Sequence, residues 1–97
     1  MKTTKSDFAL FRAECQRCIR RWKIVGWRVE YAHESKNPKH RAAELRTRVL
    51  SRIAVAVLFI DWEDDAVTRR AIIDAARHEI THLLLSPLAD IVSSRYL

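Results

Sequence analysis

The order of apolar and polar residues divides this chain into a short series of elements. From Ser6 to Lys23, Phe8, Phe11, Cys15, Cys18, Ile19 and Trp22 recur at helical spacing, with Ser6 or Asp7 placed to cap the first turn. Gly26 breaks that pattern. Trp27, Val29, Tyr31 and His33 then alternate with polar neighbours, which predicts a half-buried strand. Asn37-Pro38 supplies a turn. The stretch from His40 to Leu50 reads either as a helix over its Arg41-Ala-Ala-Glu-Leu-Arg core or as a short strand. Ser51 to Ile60 is rich in β-branched residues and almost continuously apolar, the pattern of a central strand covered on both faces.

The longest pattern is the next one. No Gly or Pro interrupts Ala66 to Leu85, and Ile72, Ile73, Ala76, Ile80, Leu83 and Leu84 mark a buried face. Asp61, Asp64 and Asp65 are placed to cap and complement its N-terminus, and Ser86-Pro87 to end it. Pro87 to Arg95 then reads as a last short helix with Leu88, Ile91 and Val92 inward. The expected fold is α+β in a single domain over residues 1–97. It comprises an N-terminal helix, a small antiparallel meander of two or three strands, a long helix and a short C-terminal helix.

Composition narrows the class. With 97 residues, 48% of them hydrophobic, one Gly and two Pro, the chain has the make-up of one globular domain rather than a disordered one. It contains no apolar run of about 18 residues, so no membrane helix is expected. The polar start, Met1-Lys-Thr-Thr-Lys-Ser-Asp, leads into no signal-peptide core, so the expected location is the cytoplasm. For a phage-encoded chain that is the host cytoplasm. A net charge of +6 is concentrated in Arg12 to Arg28 and Lys36 to Arg52, near Trp22 and Trp27. Nucleic acid or an acidic host protein is a conceivable partner of such a surface, but no nucleic-acid motif accompanies the charge, and a solvated basic face is the preferred reading. Cys15 and Cys18 form a CxxC with no second pair to complete a four-cysteine metal site; inside a helix they read as free, partly buried thiols.

Chemistry concentrates in His78-Glu79-Ile80-Thr81-His82, an HExxH sequence inside the long helix. Positions i and i+4 stack on one helical face, so both imidazoles can converge on one zinc ion. Glu79 points about 100° away from His78 and can take a proton from water without ligating metal. His78 and His82 are therefore the candidate zinc ligands and Glu79 the candidate general base. A catalytic zinc takes a third protein ligand, and Asp90 is the only acidic residue after His82. It would reach the metal if a helix restarting at Pro87 folded back. Asp74, four residues before His78, is a candidate partner for an imidazole. His33 and His40 have no ligand spacing, and Tyr96 reads as a packing residue near the C-terminus.

That helix, with its Leu83-Leu-Leu tail, and the run Trp22-Lys-Ile-Val-Gly-Trp-Arg-Val resemble the small SprT-like, or minimal zincin, metallopeptidases, many of them phage-encoded. The resemblance spans Phe8 to about Tyr96 and implies a helix, meander and helix fold with zinc-dependent hydrolysis of peptide bonds in a peptide or protein substrate. It departs from the family where the third ligand is expected. The longer HExxHxxGxxH pattern is also absent, since Leu85 and Leu88 occupy its later positions. That departure keeps a second expectation open: a catalytically inactive zincin scaffold, phage-borne, that binds and inhibits a host factor such as a defence nuclease.

Overall fold

A computed structural model describes residues 1–37, 41–63 and 66–96, with side chains through residue 86. Five elements follow in order: α1 (Lys5–Arg21), β1 (Arg28–Glu34), β2 (Ala43–Arg48), β3 (Ile53–Phe59) and α2 (Arg69–Tyr96). The α+β arrangement is the expected one. Three details differ, each for a physical reason.

The first is strand order. The sheet runs β1-β3-β2, with β3 antiparallel to β2 and parallel to β1, rather than as an antiparallel meander. β3 is the most apolar strand, and Ala54, Ala56, Val57, Leu58 and Phe59 are all buried. The central position covers it on both sides, while the charged β1 and β2 take the edges. Ala54, Ala56 and Leu58 face the helices, joining Phe11, Cys15, Ile72, Ala76, Ile80 and Leu83 in the core. On the opposite face Arg46 of β2 reaches over the central strand to Glu34 of β1, with two contacts of 3.0 Å. The ambiguous segment before Leu50 is thus strand, not helix.

The second difference lies in the helix starts. Thr4, not Ser6 or Asp7, caps α1. Its Oγ1 accepts the Asp7 N–H at 3.2 Å and the Asp7 carboxylate accepts the Thr4 N–H at 2.8 Å, a reciprocal capping box. At α2 the cap is Thr68, whose Oγ1 accepts the Ala71 N–H at 3.1 Å, and no acidic residue lies in the first turn. Asp61 pairs in a bridge with Lys2 instead, and Asp64 and Asp65 lie outside the described residues.

The third is the length of α2. It continues through Pro87 to Tyr96 as one helix of 28 residues. Pro87 has no N–H to give the Leu83 carbonyl, yet the backbone stays helical on both sides of it. Within the described turns the buried seam is Ile72, Ala76, Ile80 and Leu83, at 0% exposure, while Leu84, 44% exposed, sits one residue off the seam and faces out. The expected inward positions Leu88, Ile91 and Val92 have side chains outside the described set. No helix among the described residues is long and apolar enough to cross a membrane.

The N-terminal residues strap the far end of the sheet. The Met1 ammonium donates to the Trp62 carbonyl at 2.7 Å and the Thr3 N–H to the Ile60 carbonyl at 2.7 Å. Thr3 Oγ1 donates to the Phe59 carbonyl at 2.9 Å and lies 2.7 Å from His33 Nε2. Its one proton being committed, it accepts from His33 Nε2–H.

Candidate metal centre

α2 carries the histidine pair because its seam fixes its rotation. Glu79 lies on the same stripe as Ile72, Ala76 and Leu83 and is drawn inward, 7% exposed. His78 and His82 fall on the flank of that stripe and are exposed. Their rings meet edge to face with centroids 4.7 Å apart, and the two Nε2 atoms are 3.1 Å apart. Two nitrogens each about 2.0–2.1 Å from one tetrahedral ion lie roughly 3.3 Å apart, so the pair fits a shared zinc with only a small opening of the rings.

The helix presents this group to the leading end of β2. A cavity of about 560 Å³ is lined by His78, Glu79, His82 and Ala75 from α2, and by Arg41, Ala42 and Ala43 from the β2 side. Three alanines leave the space that larger side chains would fill. The opening is fixed from behind: the Ala42 carbonyl accepts both the Phe59 N–H and the Trp62 Nε1–H, each at 3.1 Å. A second recess of about 240 Å³ continues along β2 past Leu45 and Thr47 to Ser86. Of the two sheet edges, β2 rather than β1 flanks the histidines.

Electrostatics suit a base. Burial pushes the Glu79 carboxyl above its usual range, against the opposing charges of His78, His82 and Arg41. A carboxylate held in a poorly solvated wall is more basic than one in water. The rotation of α2 is also locked from α1. Arg77, next to His78, donates from Nε to Glu14 Oε1 at 3.0 Å, and Glu14 also receives Arg17 at 2.9 and 3.1 Å.

The other candidates are placed elsewhere. Asp74 pairs with Arg70 at 3.2 Å on an exposed face rather than bracing an imidazole. His33 stacks on Phe8, centroids 5.0 Å apart, in the strap at the far side of the sheet. His40 lies outside the described residues, as do the side chains of Asp90 and Tyr96. The Asp90 backbone belongs to the unbroken α2, eight residues and about 12 Å of helical rise beyond His82, so the fold-back on which its ligation was expected is not made. Among the described residues no group of three His, Cys, Asp or Glu side chains converges. Cys15 and Cys18 are buried free thiols, both pushed up by desolvation and thereby poor metal ligands and nucleophiles.

No protein-family model, curated protein or solved structure matches this chain. Glu14, Asn37, Arg41 and Trp62 contribute to the site's geometry and carry no motif. Only Glu14 leaves a trace in the sequence, as a carboxylate among the apolar positions of a helix.

Proposed function

We propose that this chain is a zinc-dependent peptidase of HExxH type, with His78 and His82 holding the metal and Glu79 acting as general base. The observation that carries the reading is the convergence of the two Nε2 atoms, 3.1 Å apart, at a cavity that Glu79 also lines. Zinc, when bound, supplies Lewis acidity toward a peptide carbonyl and lowers the pKa of water to about 7. Glu79 takes the proton of the attacking water and returns it to the leaving amine, a role matched to a carboxyl that burial has made more basic. The wall of Ala42, Ala43 and Ala75 leaves room for a backbone at that point. The outer edge of β2, which pairs with no further strand among the described residues, offers N–H and C=O groups to an extended peptide. The family resemblance drawn from the HExxH helix points the same way.

The test combines metal content with turnover. Elemental analysis of the purified chain is expected to find about one zinc, retained in Glu79→Gln and lost in the His78→Ala, His82→Ala double variant. Peptide hydrolysis is expected to fall at least ~100-fold in Glu79→Gln. Biological activity indifferent to that substitution would refute the peptidase reading in favour of a zincin scaffold acting through its surface on a host protein or nucleic acid.

A further inference from the structure

The groove beside the histidine pair has a patterned floor. Ala43, Leu45 and Thr47 alternate onto the helix-facing side of β2, as their register opposite Leu58, Ala56 and Ala54 requires. Arg41, just ahead of the strand, extends that row and lines both recesses together with Glu79 and His82. Read along β2, the row presents a cation, a small residue, an apolar residue and a hydroxyl.

The cation is held but not consumed. Asn37 grips the Arg41 backbone at two points: its Oδ1 accepts the Arg41 N–H at 2.9 Å, and its Nδ2 donates to the Arg41 carbonyl. Among the described residues the guanidinium has one carboxylate within reach, Glu44 at 3.9 Å, and its side chain stays 52% exposed. Arg46 makes the contrast. It closes at 3.0 Å on both Glu34 and Glu44, on the opposite face of the sheet. Arg77 and Arg17 are likewise taken up by Glu14. Among the described residues Arg41 is thus the cation at this groove with capacity left for an incoming carboxylate.

We infer that Arg41 is the specificity residue of this groove, selecting extended peptides that carry an acidic side chain close to the histidine pair, with Asn37 as its positioning residue. Leu45 then meets an apolar side chain farther along the same peptide. The inference rests on the peptidase reading for its occupant and adds the substrate class. Arg presents a planar fork to a carboxylate, so recognition is geometric as well as electrostatic and Lys replaces it incompletely.

The test uses two peptides that differ in one charge, acetyl-Ala-Glu-Leu-Ala-amide and acetyl-Ala-Gln-Leu-Ala-amide. Each is titrated at low salt into the metal-free 97-residue chain and followed by amide NMR shifts at Arg41, Thr47 and His82. The Glu peptide is expected to bind about three- to tenfold tighter. Arg41→Gln removes that preference, Arg41→Lys and Asn37→Ala reduce it, and Arg46→Gln leaves it in place. Equal affinities, no shift with either peptide, or a preference that survives Arg41→Gln would each overturn the inference. Hydrolysis by the zinc-loaded chain is then scored separately. An Arg41-dependent preference without hydrolysis sinks the peptidase reading and leaves this inference standing; hydrolysis blind to the charge does the reverse.

Discussion

The contact between Glu14 and Arg77 adds to the apolar seam in holding the rotation of the helix that carries the histidines, and it can be measured on its own. Glu14 is 8% exposed on α1, and Arg77 Nε reaches it at 3.0 Å from the residue before His78. A fully buried pair broken on one side costs about 3–5 kcal/mol, and an exposed pair about 0–1 kcal/mol. Here the carboxylate is 9% exposed and the guanidinium 45%, so solvent screens one partner only. The coupling between them is therefore expected at about 1–2 kcal/mol. A double-mutant cycle of Glu14→Gln, Arg77→Ala and the combined variant, read by urea unfolding of the tryptophan fluorescence, isolates that value from the separate contact with Arg17. The pH dependence adds a second check. Hydrogen bonding from Arg17 holds the Glu14 carboxyl below its usual range against the opposing effect of burial, with Arg77 adding to the lowering. A depressed folded pKa gives stability that is complete above the unfolded value near 4.5 and lost as pH falls through the folded one. The coupling should hold at pH 7 and shrink below 4.5. A coupling under about 0.3 kcal/mol at pH 7, within the usual error of additivity, would show that apolar contact alone sets the rotation of α2.

Three further outcomes follow from the fold. Leu83→Ala should cost about 2–5 kcal/mol in urea unfolding and Leu84→Ala close to nothing, since the first is fully buried and the second 44% exposed; similar costs would displace the seam. Thr4→Ala should cost about 0.5–2 kcal/mol through loss of the capping box, and Thr4→Ser should restore most of it in the same assay. Burial pushes the His33 imidazole down, with Asp7 opposing, so its neutral form belongs to the folded state. Its contribution is complete above the unfolded value near 6.5 and lost as pH falls through the lowered one; stability profiles of the chain and of His33→Gln should draw together as pH falls below 6.5, and parallel profiles would discount this titration.

Much of the architecture is visible in local pattern. The helical period of Phe11, Cys15 and Cys18, the apolar run of β3 and the HExxH spacing each need only a few neighbours to read. Strand order is different, because whether β1 lies beside β2 or β3 depends on which strand most needs cover, a comparison across the sheet. The end of α2 misled for a related reason: Pro87 is a local stop signal, and losing one backbone donor is not enough to end this helix. At the site, the ligand pair is legible because metal chemistry fixes its spacing. The wall opposite is not. Arg41, Asn37 and the alanines reach the histidines through chain reversal and sheet pairing, and no spacing rule connects residue 41 to residue 79.

The central placement of β3 also governs how the molecule is assembled in time. β2 and β3 are joined by a tight turn, in which Arg52 adopts a left-handed conformation at φ 56°, and their pairing begins with Arg48 opposite Ile53. That hairpin closes a short loop. β1 pairs with the same strand only by spanning the whole of β2 and its connections, and the Met1 to Thr3 strap finds its partners at Ile60 and Trp62 later still. Loop closure and contact order place hairpin formation first and the N-terminal half second. Arg41 and Glu79 are farther apart along the chain than Arg28 and Ile53, so by the same rule the groove closes only after β1 has joined the sheet. Mutations in the β2–β3 turn should slow folding, whereas mutations in the N-terminal strap should mainly speed unfolding.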